Sequence, residues 1–187
     1  MRIYHLLENL DDSYGGPAKS VPYLVKNLKE LDIQGQMLSI KYKKDEINEV
    51  IQRDNLNWLS FQYKFFKKIR YSKTLKKYLK KVLTNKKNII LHTHNLWNYI
   101  PYISFMLAKK YNIPYILSIR GALYPWSLTQ NSLQKKIAWK LFQKKILNQS
   151  SCIHVTNISE LNAVRRLGIS SPIALVPNGV NLDEFKM

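Results

Sequence analysis

The sequence predicts an α/β fold, a doubly wound and mostly parallel sheet with helices on both faces. Short apolar runs of strand length alternate along the chain with longer segments of helical spacing. Two of the runs, residues 89–91 and 115–119, end in polar clusters, as buried parallel strands do at the edge that carries a site. No internal boundary interrupts the alternation, so we expect residues 1–187 to form one domain.

The elements are predicted in order from apolar spacing and turn residues. The predicted strands cover residues 2–8, 36–40, 89–91, 115–119, 152–155 and 173–176. A first helix follows Gly15 and Gly16, with Pro17 in its first turn. Another helix covers residues 99–111. Between the second and third strands, residues 41–57 are polar enough to be a surface excursion.

The longest predicted helix begins at residue 126 or 127 and ends near residue 149. Its expected core contacts are Ile137, Leu141, Ile146 and Leu147. In the next helix, Asn157 and Glu160 have the spacing of a capping box, and Gly168 has the position of a C′ terminator.

Positive charge dominates the composition, with 30 Lys and Arg against 12 Asp and Glu and a formal net charge of +18. This surplus attracts polyanions of any kind: nucleic acid, anionic lipid or phosphorylated substrates. The single cysteine, Cys152, lies in an apolar run and fits a reducing cytoplasm. No stretch has membrane-spanning length, and no signal peptide is evident. We therefore expect a cytoplasmic protein, soluble or peripherally attached to a membrane.

Residues 58–87 combine aromatic and basic side chains. Their second half predicts an amphipathic helix that packs on the sheet through the face from Leu75 to Leu83. Their first half is typical of segments that rest on an anionic membrane, or that bind single-stranded nucleic acid, and the sequence does not separate the two. The residues expected to face a membrane are Trp58, Phe61, Phe65, Phe66, Lys67, Lys68 and Arg70.

The candidate site lies where the two polar clusters meet. If the runs before them are parallel strands of one sheet, His94 and Arg120 open into the same crevice and can bind a sugar hydroxyl or a phosphate. The alternative for the arginine is a structural salt bridge with Glu8 or Glu160. His92 is expected to be structural, since no Asp, Glu or Cys cluster lies nearby to complete a zinc site, and we predict no metal.

Two further features have both a structural and a functional interpretation. Gly15 and Gly16 precede a helix start, which favours an anion such as a diphosphate, although a tight turn is the simpler explanation. Trp97 and Trp126 either pack in the core or stack on a sugar ring. The chain has no GxGxxG, P-loop or GxSxG motif, so dinucleotide, Walker-type and serine-hydrolase sites have no support.

Five motifs, taken together, resemble a known family. They are Gly15-Gly16-Pro17, His92-Thr-His94-Asn-Leu-Trp97, Arg120-Gly-Ala-Leu-Tyr-Pro-Trp126, Ser159-Glu160 and Val176-Pro-Asn-Gly-Val180. Their order and spacing cover nearly the whole chain. They resemble the N-terminal, acceptor-side lobe of a GT-B glycosyltransferase of family 4, the retaining branch that uses nucleotide sugars and has a Rossmann-like lobe.

The resemblance implies a ligand for the crevice. It implies that the glycine loop approaches the donor diphosphate and that no cofactor is needed, because the nucleotide sugar is the substrate. The implied donor- and acceptor-binding residues are Gly15, Gly16, His94, Asn95, Arg120, Gly121 and Trp126. Many members have a histidine where this chain has Arg120, and RGALYPW looks similar to a branch that acts in surface-polysaccharide assembly. The implied acceptor is a growing, lipid-linked glycan at the inner face of the cell membrane.

The same resemblance implies that residues 177–187 begin an interlobe linker. A second lobe that carries a Glu-x7-Glu segment would follow this linker. We therefore expect this chain to be inactive alone and to need that lobe or a complementary chain. Three alternatives stay open: half of a GT-B sugar epimerase, a basic module that binds nucleic acid without a recognised motif, and a non-catalytic docking partner.

Overall fold

Seven parallel strands form one sheet with the order β3-β2-β1-β4-β5-β6-β7. The computed structural model describes residues 1–11, 15–41, 49–63, 70–84 and 88–179. The strands are β1 (Arg2–Leu7), β2 (Gln34–Lys41), β3 (Trp58–Gln62), β4 (Ile89–His94), β5 (Tyr115–Ser118), β6 (Cys152–Val155) and β7 (Ile173–Leu175). This parallel, Rossmann-like arrangement confirms the predicted fold class.

The helices connect successive strands as crossovers. They are α1 (Gly16–Glu30), α2 (Glu49–Arg53), α3 (Lys73–Thr84), α4 (Tyr99–Tyr111), α5 (Pro125–Thr129), α6 (Ser132–Ala138), a π-helical turn (Trp139–Gln143), α7 (Lys144–Gln149) and α8 (Ile158–Arg166). Asn157 caps α8 by accepting from Glu160 N–H, and Gly168 adopts positive φ just after it, as predicted. Among the described residues, no helix is long and apolar enough to cross a membrane.

Two hydrophobic clusters lie in the fold. The larger one joins the sheet to α3, α4, α7 and α8, with Leu6, Leu91 and Leu117 among its fully buried members. The smaller one, around Leu7 and Met37, joins the sheet to α1 and α2. Because residues 5 and 7 of β1 alternate with residues 4 and 6, the two clusters mark the two faces of the sheet.

Two short elements were not predicted. Helix α2 lies in the segment expected to be a surface excursion, yet it buries Val50 and Ile51 against α1. Strand β3 begins the segment whose aromatic residues were expected to face a membrane, and it pairs with β2 along the edge of the sheet. Each element is five residues long, too short to show a clear period in sequence.

The long helix predicted for residues 126–149 is interrupted. Gln130 is extended and Asn131 is left-handed between α5 and α6, and the π-helical turn then adds a wide turn before α7. Such a turn rotates the helix surface relative to 3.6-residue spacing. Ile146 and Leu147 are therefore buried as predicted, whereas the prediction for Ile137 and Leu141 is wrong, because these side chains are 52% and 73% exposed.

Candidate functional site

All four histidines of the chain lie on one face of the sheet near the carboxyl ends of its central strands. His5 in β1 is opposite His92 in β4, and Ser118 in β5 lies between His94 and His154 in the register. Contacts between rings join the set, with the His92 and His94 centroids 4.0 Å apart. We call these four residues and Ser118 the histidine layer.

The first chain of hydrogen bonds begins at Arg120. Its Nη2 lies 3.4 Å from His94 Nδ1, and His94 Nε2 lies 3.0 Å from His5 Nδ1. A guanidinium only donates, so His94 Nδ1 accepts and His94 Nε2–H donates to His5. This assignment leaves His5 Nε2–H as a buried donor without a partner among the described residues.

The second chain ends at a backbone carbonyl. His154 Nε2 lies 2.9 Å from Val176 O and must donate to it. His154 Nδ1 then accepts from the Ser118 hydroxyl at 2.7 Å, and Ser118 Oγ accepts from His92 Nε2 at 2.7 Å. The logic of donors and acceptors thus assigns one tautomer to each histidine. It also confirms the structural role predicted for His92.

Burial keeps the histidine layer neutral. Desolvation, followed by the charge of Arg120, lowers the pKa of His5 to about 3. Desolvation also lowers the pKa values of His92 and His94 well below the ordinary value, with neighbouring histidines and Arg120 acting in the same direction. Neutral rings therefore lie under Arg120, which provides the positive charge at this edge of the sheet.

Three of these rings test the prediction of no metal. The ligand atoms of His5, His92 and His94 lie within 4.8 Å of one another, so β1 adds a third histidine to a site for which the sequence offered no nearby Asp, Glu or Cys cluster. The arrangement nevertheless fits a cation poorly. The acceptor nitrogens of His5 and His94 are already engaged, and the guanidinium of Arg120 repels a dication. The histidine layer is better described as a neutral hydrogen-bonded support for Arg120.

Arg120 itself has a specialised conformation. Its φ is +48°, and Gly121 follows with φ +72°. Neither predicted salt-bridge partner binds the guanidinium: Glu160 accepts from the N–H groups of Gly121 and Thr156, and Glu8 pairs with Arg70. Desolvation lowers the pKa of Arg120, and the charge of Glu160 opposes that shift. Arg120 Nη1 donates to Asn178, while its buried Nε has no partner among the described residues.

An open cleft of about 430 Å³ lies beside Arg120. Its lining residues come from α1, from the sheet edge and from residues 176–179, and they include Ser20, Tyr23, Lys26, Asn27, Arg120 and His154. The structure therefore brings His94 and Arg120 together as predicted. However, His94 is 1% exposed and contacts Arg120 and His5 rather than opening to the crevice, so the expectation of direct ligand contact is corrected to support of Arg120.

The other predicted site residues have different surroundings. Asn95 donates to Glu8 Oε2 at 2.7 Å and holds the β1 end. Trp97 donates to Ala122 O at 2.9 Å and packs on the core, which favours its structural interpretation. Trp126 is 75% exposed on α5. Gly121 lies in the loop beside Arg120, where its N–H is engaged by Glu160.

The glycine loop lies between the carboxyl end of β1 and α1. Gly15 has φ +99° and ψ −166°, a conformation that is essentially restricted to glycine. A Cβ added at Gly15 or Gly16 would meet no atom of the described residues within 4 Å. The positive φ expected of a glycine turn is therefore present at Gly15, and the described residues leave the space over both glycines open.

Three of the predicted membrane-facing residues are described, and each is half-buried and contacts another part of the protein. Trp58 packs against the smaller cluster, Phe61 contacts the ring of Tyr78 with centroids 5.3 Å apart, and Arg70 pairs with Glu8. The contacts of Trp58 and Phe61 form because both residues belong to β3, which is a strand of the sheet. The remaining four, Phe65, Phe66, Lys67 and Lys68, lie outside the described residues.

Sequence reasoning missed two members of the site. His5 was not singled out, and its position opposite His92 follows from the pairing of β1 with β4. His154 was likewise read only as part of an apolar run. Both residues join the layer through the pairing of strands, and this pairing cannot be read from a single sequence.

Comparisons with known proteins agree with this architecture. The Glycosyltransferase Family 4 profile matches residues 14–184. No curated protein sequence matches the chain. Among solved structures, Anabaena HepE in complex with UDP-glucose is similar, with a TM-score of 0.70 and 10% identity over 100% of this chain and 46% of that chain.

Two other solved structures share the fold. Sucrose-phosphate synthase from Thermosynechococcus elongatus has a TM-score of 0.60 and 16% identity over 99% of this chain and 93% of that chain. Acinetobacter baumannii MurG has a TM-score of 0.54 and 11% identity over 100% of this chain and 49% of that chain. The chain thus spans about half the length of the HepE and MurG chains. The fold is that of one lobe of a GT-B enzyme, and since the profile covers residues 14–184, the chain belongs to Glycosyltransferase Family 4.

Proposed function

We propose that this chain is the acceptor-binding half of a nucleotide-sugar-dependent glycosyltransferase that acts in surface-polysaccharide or lipid-linked glycan assembly. The observation that carries the proposal is Arg120, a desolvated guanidinium beside an open cleft in a lobe that belongs to a glycosyltransferase family. HepE, which shares the fold, was solved with UDP-glucose. The proposed donor is accordingly a nucleotide sugar, and the transferred group a hexosyl unit.

The contacts of Arg120 support a phosphate-bearing ligand. Among the described residues its guanidinium forms no salt bridge, and its Nε has no hydrogen-bond partner. A partly desolvated guanidinium without an anion is incompletely compensated, and the planar fork of arginine matches two phosphate oxygens. The neutral histidine layer provides no competing anion. A diphosphate that links a glycan to a lipid therefore complements this wall of the cleft.

The glycine loop extends the proposal to the donor. The described residues leave space over Gly15 and Gly16 for a diphosphate near the start of α1, where the helix dipole favours negative charge. The reaction requires no cofactor in this scheme. The proposed place of action is the cytoplasmic face of the cell membrane, where nucleotide sugars and lipid-linked acceptors meet.

Saturation-transfer NMR tests the acceptor part of the proposal. The probes are a short-chain polyprenyl diphosphate glucose and free glucose, each titrated into the chain. Binding of the diphosphate probe is expected, and Arg120→Lys should weaken it by about tenfold or more, because lysine keeps the charge but loses the bidentate fork. Arg166→Lys on the exposed end of α8 is the matched control and should change nothing.

Two outcomes contradict the proposal. Equal binding of free glucose and the diphosphate probe would remove the role assigned to Arg120. Failure of both probes, together with salt-sensitive binding of single-stranded oligonucleotides, would favour the nucleic-acid alternative instead.

A further inference from the structure

The segment from α5 through the π-helical turn exposes four large apolar side chains. Trp126 on α5 is 75% exposed, and Leu133, Ile137 and Leu141 are 70%, 52% and 73% exposed. The last three recur every four residues and form a stripe along α6 and the π-helical turn. We call Trp126 and this stripe the apolar ridge.

The π-helical turn and α7, which follow α6, are fixed to the protein. Trp139 and Phe142 pack against the larger cluster, and Ile146 and Leu147 are buried. The Lys135 ammonium lies 5.4 Å from the ring centroid of Trp97 and donates to Ser127 O, which joins α6 to α5. The apolar ridge is therefore held outward by a packed inner face.

The stretch of chain that carries the ridge contains charged side chains of one sign only. Residues 121–159 contain no Asp or Glu, and their lysines are Lys135, Lys136, Lys140, Lys144 and Lys145. All but Lys135 are exposed. Lys136, Lys140 and Lys144 also recur every four residues, so they line up beside the apolar stripe. An apolar stripe flanked by lysines complements a surface with an apolar interior and anionic headgroups.

We propose that the apolar ridge and its flanking lysines dock this lobe on an anionic lipid bilayer, with Trp126 at headgroup depth. The inference deepens the proposed function, and its choice of a membrane rests on the lipid-linked acceptor proposed there. Nucleic acid fits less well, because a phosphate backbone provides nowhere to bury Leu133, Ile137 and Leu141. The docking surface also differs from the one predicted from sequence, which lay in residues 58–87.

Vesicle co-sedimentation of the 187-residue chain tests the surface without requiring turnover. Binding is expected to vesicles of phosphatidylcholine with 30% phosphatidylglycerol and to be much weaker to phosphatidylcholine alone. Leu133→Gln combined with Leu141→Gln should lower the partition coefficient by about tenfold or more, since both side chains lose apolar burial. Leu31→Gln, at a 69% exposed leucine that follows α1, is the matched apolar control.

A second pair of variants separates this surface from the other lysine-rich helix. Lys136→Glu with Lys140→Glu should lower the partition coefficient by about tenfold or more. Lys77→Glu with Lys80→Glu, which changes charge equally on exposed positions of α3, should lower it less. Trp126→Phe should remove most of the blue shift in tryptophan fluorescence on vesicle addition, while circular dichroism checks that each variant stays folded.

The proposal is overturned if the ridge variants bind vesicles like wild type, or if the α3 variants weaken binding as much as the α6 variants. It is also overturned if light scattering shows a dimer that the ridge variants convert to monomer without any vesicle binding, because a second copy then covers the ridge. Vesicle binding with no binding of the diphosphate glucose probe leaves this docking surface intact and counts only against the acceptor assignment.

Discussion

Helices α3 and α6 are both rich in lysine, but they place their leucines on opposite sides. Leu75, Leu79 and Leu83 of α3 are buried against α4 and the sheet. Leu133 of α6 and Leu141 of the following turn have the same helical spacing and are exposed. An amphipathic basic pattern therefore does not determine whether its apolar stripe faces the core or the outside of the protein.

The difference has a local cause. In α3 the leucines provide the apolar stripe, and the lysines occupy the rest of the surface. In the α6 segment the packing face is taken by Trp139 and Phe142, and the π-helical turn changes the register between them and Leu147. The remaining apolar residues therefore face outward.

The largest expected effect comes from exchanging matched leucines for alanine. Leu79→Ala should lower the free energy of unfolding by about 2–5 kcal/mol, because it opens a cavity at a fully buried site. Leu141→Ala, at a 73% exposed site, should change it by less than about 0.5 kcal/mol. Urea denaturation of both variants measures the difference. Equal losses would show that the apolar ridge packs against the protein in solution.

Acid should destabilise the protein through the histidine layer, because its rings are polar and buried, unlike the leucines of α3. His5 has a folded pKa of about 3 and an ordinary value of 6.5, so the unfolded state binds more protons between these values. The contribution of neutral His5 to the free energy of unfolding is therefore fully present above about pH 7, and it decreases as the pH falls below 6.5. At pH 5 His5 alone should cost about 2 kcal/mol, and His92 and His94 act in the same direction.

Urea midpoints at pH 7.5 and pH 5.0 measure this loss above the range where carboxylates titrate. His5→Gln should show a smaller loss between the two pH values, since glutamine can accept from His94 and does not titrate. Identical wild-type midpoints at the two pH values would mean that the layer opens to water and is not buried like the leucines of α3.

The smallest expected effect concerns two adjacent glycines that differ in conformation but not in space. Gly15→Ala should cost about 1–2 kcal/mol, because φ +99° with ψ −166° strains any L side chain. Gly16→Ala should change stability by less than about 0.5 kcal/mol, since Gly16 begins α1 and a Cβ there meets open space. Thermal unfolding of both variants tests this contrast, and a larger loss at Gly16 would contradict it.

The sequence determined the alternation of strands and helices, because apolar runs and turn residues are local signals. It predicted β6 and α4 with their observed bounds, and it placed His94 next to Arg120 from the rule that parallel strands end at one edge. It also carried the family motifs, whose order does not depend on folding. Strand β3 and helix α2 were not predicted, because each is only five residues long.

Which side chains share a face depends on how distant segments pair and pack. His5 and His154 join the histidine layer through strand order and register, and those arise from pairing between distant segments. The same holds for His94, which the sequence placed in a crevice and the fold buries beneath Arg120. The outward face of α6 likewise depends on one π-helical turn and on what the sheet already covers, and helical spacing encodes neither.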